Sequence, residues 1–386
     1  MSMLNKSTVE YLKSASHFLE KGNFEKAIEF YNKVLEIDKN NIEVLNDKGV
    51  ALAKLKEYKK AIECYEKVLR LNNKNTIALY NKANSLLKLN KNKEAIEFYK
   101  KALKFNPNNK DDIFYNLGNA LKDIKNYKES IKYYNKTLKV NPDYIDALNN
   151  KGVSLLLLSK LDKANICFNL IIKRSPMNKL AWLNKGNVLY KLNKYEESIN
   201  CYNEVLKIDN RYIEALNNKG SALFNLGKNN EAINCFDKIL AINPKDEIAL
   251  YNKGTGLCKI GKFQDAKDYY NRVLEIDPIN VSVLNNIGNI LIEEKKFGEA
   301  LKYYNKVIDI DSNFKLSWNN KGNVLSDMGN KIEALNCYNK AIEIDKKYDN
   351  ALFNKGSVLL DMGNYEEAIK CFKKVIKVNK FFSDAF

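Results

Sequence analysis

Asparagine recurs through this chain of 386 residues at a nearly constant interval. Nine asparagines follow one another at steps of 34 residues, with a single step of 35: Asn81, Asn116, Asn150, Asn184, Asn218, Asn252, Asn286, Asn320 and Asn354. Five more lie three residues after a member of that series: Asn84, Asn119, Asn187, Asn289 and Asn323. A side-chain amide offers two hydrogen-bond donors and an acceptor oxygen. A row of such amides can hold the main chain of an extended peptide, or it can bridge neighbouring helices.

Few side chains in this sequence are suited to catalysis or to metal binding. His17 is the only histidine, so an imidazole base has a single candidate. The seven cysteines form no Cys-x-x-Cys pair, and no phosphate-binding glycine loop is present. We therefore expect a protein without enzymatic activity, metal or cofactor. A non-catalytic subunit of an enzyme complex is an alternative, because its sequence would have the same character.

The asparagines belong to a repeat of 34 residues that starts at residue 8 and occurs eleven times. We number its positions as slots 1 to 34, with Asp111 at slot 1 of the fourth copy. In this copy, apolar residues fall at slots 3, 4, 7 and 11, and again at slots 21, 24, 28 and 30. Steps of three, four and seven are typical of amphipathic helices. Each copy is therefore predicted to form two helices, and the chain to form an all-α solenoid of stacked pairs.

Particular slots predict how the helices of each pair are connected and packed. Slot 15 holds glycine in five copies and asparagine in two, which favours a left-handed residue after the first helix. All five prolines lie at slot 32, where the second helix is expected to have ended. Slot 8 is always glycine or alanine, and slot 24 is always tyrosine or phenylalanine. We expect the ring to pack against the small residue where the two helices cross closely.

This pattern resembles the tetratricopeptide repeat, which has small residues at slots 8 and 20, an aromatic ring at slot 24 and proline at slot 32. Trp182 and Trp318 match the tryptophan or leucine that the family has at slot 4. The resemblance covers residues 8–382 and implies a right-handed superhelix whose first helices line a concave groove. In this family the groove usually holds an extended peptide or a helix of another protein. A scaffold or adaptor that binds proteins is therefore the function that the resemblance implies.

The repeat divides the sequence into eleven units, preceded by an extension (1–7) and followed by a stub of a further repeat (383–386). The expected units are 8–41, 42–75, 76–110, 111–144, 145–178, 179–212, 213–246, 247–280, 281–314, 315–348 and 349–382. The third unit is one residue longer than the others.

The resemblance also implies that slots 2, 5, 6, 9, 12 and 13 form the wall of the groove. The asparagines above occupy slots 6 and 9, and we expect them to contact the partner. Slot 13 changes from basic to acidic along the chain: Lys54, Lys88, Lys191 and Lys259, with Asp123 as an interruption, and then Glu293, Asp327 and Asp361. Such a groove would orient a segment of opposite polarity. Tyrosines at slots 5 and 12 are expected to anchor the partner: Tyr80, Tyr115, Tyr190 and Tyr251.

One specific function of the family is not expected here. Its chaperone-binding members hold carboxylates with a set of residues that includes lysine at slot 5 and arginine at slot 6. No copy of this sequence has lysine at slot 5 or arginine at slot 6. The sequence is therefore not expected to bind chaperone tails.

The formal net charge is +17, and most of it lies in residues 42–212. Such a charge favours acidic partners. Binding of RNA or another single-stranded nucleic acid by residues 42–212 is a second alternative, because tyrosines accompany the lysines there. Against it, arginine is scarce and many lysines lie on the second helices, so nucleic acid is the less favoured partner.

The sequence predicts a cytoplasmic protein. No apolar stretch is long enough to span a membrane, and the first residues lack the apolar core of a secretion signal. Six cysteines fall at slot 23, where neighbours in adjacent pairs would lie about 10 Å apart, too far for a disulfide. They are expected to be free packing residues in a reducing compartment.

The last repeat ends in apolar residues that nothing in the sequence covers: Val375, Ile376, Val378, Phe381, Phe382 and Phe386. Exposed apolar patches mark sites of association. We expect this end to self-associate, to be covered by a partner, or to be a truncation point.

Overall fold

The chain folds into helices throughout residues 6–378, the part that the computed structural model describes. Within these residues 22 helices form consecutive helix-turn-helix pairs. The first helices of the pairs are α1 (Lys6–Glu20), α3 (Ile42–Lys54), α5 (Thr76–Lys88), α7 (Lys110–Asp123), α9 (Ile145–Leu157), α11 (Lys179–Lys191), α13 (Ile213–Asn225), α15 (Glu247–Lys259), α17 (Val281–Glu293), α19 (Lys315–Asp327) and α21 (Asp349–Asp361). The second helices are α2 (Phe24–Ile37), α4 (Tyr58–Leu71), α6 (Asn92–Lys104), α8 (Tyr127–Val140), α10 (Leu161–Arg174), α12 (Tyr195–Ile208), α14 (Asn229–Ile242), α16 (Phe263–Ile276), α18 (Phe297–Ile310), α20 (Lys331–Ile344) and α22 (Tyr365–Val378). The predicted all-α fold is confirmed.

The chain divides into two compact units, Met1–Cys201 and Tyr202–Phe386, and the boundary falls inside α12. In each unit, a second helix packs both on the first helix of its own pair and on the first helix of the next pair, as α8 does on α7 and α9. The core therefore continues from pair to pair within a unit.

Every first helix ends in the left-handed residue that the sequence predicts at slot 15. Backbone φ at this slot lies between 55° and 84° in all eleven copies: Gly22, Lys56, Asn90, Lys125, Ser159, Asn193, Gly227, Gly261, Lys295, Gly329 and Gly363. Four of these are lysine or serine, for which the left-handed region is disfavoured. The turn is thus imposed by packing of the pair even where the residue type resists it.

The second helices end as the prolines predict. For example, α8 ends at Val140, Asn141 is extended with φ of −128°, and Pro142 follows. The extra residue of the third copy lies in the connection between α6 and α7, where Asn106 has φ of 54°.

The ring at slot 24 fills the space left by the small residue at slot 8. A Cβ atom added to Gly288 would lie 2.6 Å from Cε1 of Tyr304, and one added to Gly254 would lie 2.6 Å from Cε1 of Tyr270. Both rings are almost completely buried. The expected close crossing is confirmed, and it brings the backbone of each first helix against an aromatic face.

The cysteines are free, and six of the seven are buried, whereas Cys258 is half-buried. Burial raises the pKa of the Cys64, Cys167 and Cys371 thiols, so they are poorly reactive as thiolates. Between residues 6 and 378, no helix is both long enough and apolar enough to cross a membrane.

The apolar C-terminal patch is only partly present in the described residues. Val375, expected to be partly bare, is instead buried, with an exposure of 2%. Ile376 and Val378 are exposed. Phe381, Phe382, Phe386 and the stub 383–386 lie outside the described residues, so self-association stays a prediction.

Replacing Lys56 by glycine should stabilise the second helical pair. Glycine removes the left-handed strain but adds entropy to the unfolded chain, so we expect a gain of about 0.5–1 kcal/mol. The control is Lys67→Gly, inside α4, which should cost about 1 kcal/mol because glycine disfavours helix. Amide hydrogen exchange in α3 and α4 measures both effects. Equal destabilisation by the two changes would contradict the left-handed turn.

Gly288→Ala and Gly298→Ala test the close crossing within one repeat. The methyl group at residue 288 must displace Tyr304, whereas no heavy atom lies within 4 Å of a Cβ at residue 298. Alanine occupies slot 8 in two copies, so the first change should fold but widen the pair. We expect Gly288→Ala to be less stable than Gly298→Ala by about 1–3 kcal/mol. Hydrogen exchange in α17 and α18 would refute this if the two variants were equally protected.

Candidate functional site

The asparagines of slots 6 and 9 form a hydrogen-bonded network between adjacent pairs. The Tyr134 hydroxyl donates to Oδ1 of Asn119 at 2.8 Å, and Nδ2 of Asn150 in the next copy donates to the same oxygen at 2.9 Å. The same arrangement occurs at three other places: Tyr99–Asn84–Asn116, Tyr304–Asn289–Asn320 and Tyr338–Asn323–Asn354. A buried hydroxyl without a partner costs about 1–3 kcal/mol, so each network has a structural role.

The network uses only half of each slot-9 amide. Oδ1 of Asn84, Asn119, Asn289 and Asn323 accepts two hydrogen bonds, which is its full capacity. Their Nδ2 groups donate no hydrogen bond within residues 6–378. Asn289 is exposed and the other three are half-buried. Each amide is therefore fixed by its oxygen while its two donors remain available.

The other asparagines of the series divide into bonded and unbonded side chains. Asn184 donates to Oδ1 of Asn149 at 3.1 Å, and Asn286 donates to the Tyr270 hydroxyl at 3.2 Å. Asn187 and Asn218 also have interaction partners. The side chains of Asn81 and Asn252 make no hydrogen bond within the described residues. In these two cases the preceding copy has Val50 or Ser221, not asparagine, at slot 9.

Two clefts open on the first-helix face where slot 9 of the leading copy is not asparagine. The first, which we call the 54–88 cleft, has a volume of about 250 Å³ and is lined by Val50, Ala53, Lys54, Tyr58, Tyr65, Asn81, Asn84, Ser85 and Lys88. The second, the 259–293 cleft, also has a volume of about 250 Å³ and is lined by Thr255, Cys258, Lys259, Phe263, Tyr270, Asn286, Asn289, Ile290 and Glu293. Both are lined by slots 9, 12, 13, 17 and 24 of one copy and slots 6, 9, 10 and 13 of the next.

The two clefts differ in charge. Lys54 and Lys88 border the 54–88 cleft, and neither makes an ion pair within residues 6–378. Lys259 and Glu293 border the 259–293 cleft, and the Lys259 Nζ atom lies 4.9 Å from the centre of the Phe224 ring. The structure thus brings the predicted asparagines and slot-13 charges together twice. Lys191 is exposed at the end of α11 and lines neither cleft.

The predicted anchor tyrosines are partly used by the fold itself. Tyr80, Tyr115 and Tyr251 are half-buried and pack on the slot-24 ring of their own copy, with ring centres about 6 Å apart. Their hydroxyls accept hydrogen bonds from the slot-6 amide of the next copy at 3.1–3.4 Å. Burial raises the pKa of Tyr80. Tyr190 packs edge-on against Tyr195 at 5.4 Å.

Tyr251 also faces a third cleft. This cleft, of about 280 Å³, lies between α15 and α17 and is lined by Glu247, Ile248, Tyr251, Asn280 and Ser282. Neither the 54–88 cleft nor the 259–293 cleft is lined by a predicted anchor tyrosine.

A pairing in the sequence explains which amides are fixed. Asparagine occurs at slot 9 in five copies, and every one of these copies has tyrosine at slot 24. The three copies with phenylalanine there have valine or serine at slot 9: Val153, Ser221 and Ser357. The amide is present only in copies whose slot-24 ring carries a hydroxyl group. The spacing of asparagines in the sequence does not by itself distinguish an asparagine that is hydrogen-bonded within the fold from one whose side chain is free to bind a ligand.

No group of three histidine, cysteine, aspartate or glutamate side chains in residues 6–378 is placed to hold a metal ion. His17 packs edge-on against Phe18 at 5.6 Å.

Comparison with known families gives one consistent result. A profile described as "Tetratricopeptide repeat" matches residues 42–75, 76–109, 112–144, 213–246, 248–280, 281–314, 316–348 and 350–382. A second, described as "TPR repeat", matches residues 16–56 and 186–227. No curated protein sequence is significantly similar to this chain.

The chain is also similar to solved structures. The crystal structure of yeast Tom70 aligns with 97% of this chain and 92% of its own, at 17% identity and a TM-score of 0.52. YrrB, described as a TPR protein with an unusual peptide-binding site, is 24% identical over 48% of this chain and 95% of its own, with a TM-score of 0.44. A tetratricopeptide repeat protein from Parabacteroides merdae is 18% identical over 66% of this chain and 100% of its own, with a TM-score of 0.49. At such identity the Tom70 similarity shows the fold alone.

Asn84→Ala and Asn81→Ala should differ in stability although both lie in α5 and line the same cleft. The first leaves the Tyr99 hydroxyl and the Asn116 amide without their shared acceptor, so we expect a loss of about 1–3 kcal/mol. The second breaks no hydrogen bond and should change stability by less than about 0.5 kcal/mol. Urea unfolding, with hydrogen exchange in α5 to α7, gives the comparison. Equal losses would show that the network contributes no stability.

Proposed function

Because this chain belongs to the tetratricopeptide-repeat family, we propose that it is a non-enzymatic scaffold that binds an extended, acidic segment of a partner protein. The proposal is based on the residues that line the 54–88 cleft. It is the place in the described residues where two lysines without ion pairs meet two amides with unused donors. The proposal extends the family's general role in protein binding to a particular site and a particular ligand chemistry.

The cleft suits the main chain of an extended peptide. The side chain of Asn84 is held in place by the two hydrogen bonds that its Oδ1 atom accepts, and its Nδ2 group donates none. Neither the Oδ1 atom nor the Nδ2 group of Asn81 makes a hydrogen bond within the described residues. These donors can bind successive backbone carbonyl oxygens, which every peptide presents. Because the Asn84 amide is already ordered, binding costs little side-chain entropy there.

Lys54 and Lys88 supply the preference for acidic residues. A carboxylate of the ligand placed between them would make charge-assisted hydrogen bonds. Because both lysines are exposed, each ion pair contributes about 0.2–1 kcal/mol. Tyr58 and Tyr65 form an apolar wall of the cleft. We expect these ion pairs, the main-chain hydrogen bonds and packing on this wall to give together a dissociation constant in the micromolar range.

The 259–293 cleft would take a different residue. Lys259 and Glu293 present one charge of each sign, so this cleft favours a neutral polar or zwitterionic contact. Asn289 offers the same fixed amide donors as Asn84. We propose that both clefts bind the main chain of an extended peptide but prefer different side chains on it.

Short fluorescent peptides rich in aspartate and glutamate, with lysine-rich peptides of equal length as controls, test the proposal by fluorescence anisotropy. We expect micromolar binding of the acidic set only. The double change Lys54→Ala/Lys88→Ala should weaken it at least tenfold, about 1.4 kcal/mol. Asn81→Ala should weaken it severalfold without loss of stability. Raising the salt concentration should weaken it as well, because the charges are exposed.

The matched control is Lys302→Ala/Lys306→Ala, which removes the same charge from the exposed face of α18. This variant should bind like the natural chain. Absence of binding at low salt, or binding that survives the changes at residues 54, 81 and 88, would refute the site. Single-stranded RNA is tested in parallel. RNA binding that these changes abolish, with no peptide binding, would favour the nucleic-acid alternative.

A further inference from the structure

The fifth repeat departs from the other ten on the outer face of its second helix. Slots 22 and 26 lie one helical turn apart on this face. In ten copies both slots hold polar or charged residues, most often lysine at slot 26. In the fifth copy they hold Ile166 and Leu170. These side chains are 58% and 42% exposed, so no residue of the described chain covers them.

The largest of the described cavities lies beside these two residues. It has a volume of about 580 Å³ and is lined by residues of α8, α9 and α10. Of these helices, α9 packs on both α8 and α10. Leu148 and Leu155 of α9 form part of its floor, and Ile131 of α8 and Leu158 extend the apolar surface. This cavity shares no residue with the 54–88 cleft.

All the charges around the cavity are positive. Lys128, Lys151, Lys160 and Lys163 line it, and no aspartate or glutamate does. None of the four lysines makes an ion pair within residues 6–378. Lys128, Lys160 and Lys163 lie at the amino-terminal ends of α8 and α10, where the helix dipoles are also positive.

We infer that this cavity is a second docking site, which binds an acidic amphipathic helix of another protein. The apolar face of such a helix would cover Ile166 and Leu170 and reach the leucine floor, as in helix-in-groove recognition. Its carboxylates would pair with the four lysines. The site is distinct from the peptide cleft of the proposed function, and either site can exist without the other.

The shape of the site favours a helix over a fatty-acid anion, which shares the same chemistry. Small-molecule sites bury most of the ligand surface inside the protein. Here Ile166 and Leu170, which line the cavity, remain 58% and 42% exposed, so an acyl chain bound beside them would leave much of its surface in water. A helix lying across the opening would cover Ile166 and Leu170 together with Leu148 and Leu155.

The probe is a fluorescent, hydrocarbon-stapled helix with leucine along one face and glutamate on the other, measured by anisotropy with the full chain. We expect micromolar binding at low salt. The same peptide with lysine in place of glutamate should bind at least tenfold more weakly. The double change Ile166→Asn/Leu170→Lys should reduce binding at least tenfold. This variant restores residue types that other copies have at these slots, so it should keep the fold, which circular dichroism checks.

Two further variants separate the possible outcomes. Lys128→Glu/Lys163→Glu should abolish binding of the glutamate helix, whereas Lys302→Glu/Lys306→Glu, with the same charge change on α18, should not. Lys54→Ala/Lys88→Ala should leave it unaffected, so failure here is distinguishable from failure of the proposed function. Lack of binding, or binding that Ile166→Asn/Leu170→Lys leaves intact, would overturn the inference. Binding of palmitate but not of the helix would identify a lipid-anion site and would overturn it as well.

Discussion

The contact between the slot-24 ring and the small residue at slot 8 is the constraint on which the other features depend. It sets the distance between the helices of a pair, because a Cβ at most of these glycines would lie within 2.5–2.7 Å of the ring. Burying such a ring contributes about 2–3 kcal/mol, and the contribution recurs in every copy. The close crossing also forces the chain to turn sharply, so even Lys56 and Lys295 adopt left-handed backbone. The residue types at other slots of the repeat can vary as long as this contact and the turn are kept.

The hydroxyl of that ring connects the core to the surface. A tyrosine buried to this extent needs an acceptor, and asparagine at slot 9 supplies one and also accepts from the next copy. The amide network is therefore first a means of joining one pair to the next. Its value for binding follows from this role, because an amide whose oxygen is fixed presents its nitrogen in a defined direction. Where Val50 or Thr255 replaces the asparagine, the network is interrupted and a cleft opens.

Local constraints explain what the sequence predicts well. Helix periodicity, the left-handed slot 15, the proline at slot 32 and the ring opposite glycine each depend on a few residues of one copy, so they can be recognised in every copy. The free donors are harder to recognise, because whether Asn81 or Asn116 is bonded depends on slot 9 of the preceding copy and on the hydroxyl at slot 24. Burial of Val375 was not expected for a similar reason. Its exposure of only 2% depends on packing in the folded chain, which an apolar pattern alone does not report.

A repeat also makes its own departures informative. Slots that face a neighbouring pair are constrained in all copies, so variation there reports on packing. Slots 22 and 26 face solvent, and nothing in the stack requires a particular residue, yet ten copies keep them polar. Exposed aliphatic residues at these slots cost solubility and contribute nothing to the core beneath them. The proposed docking of another molecule would explain why the fifth copy has Ile166 and Leu170 at these slots. Because the charged residues that line the adjoining cavity are all lysines, a molecule that carries negative charge beside its apolar surface would fit it best.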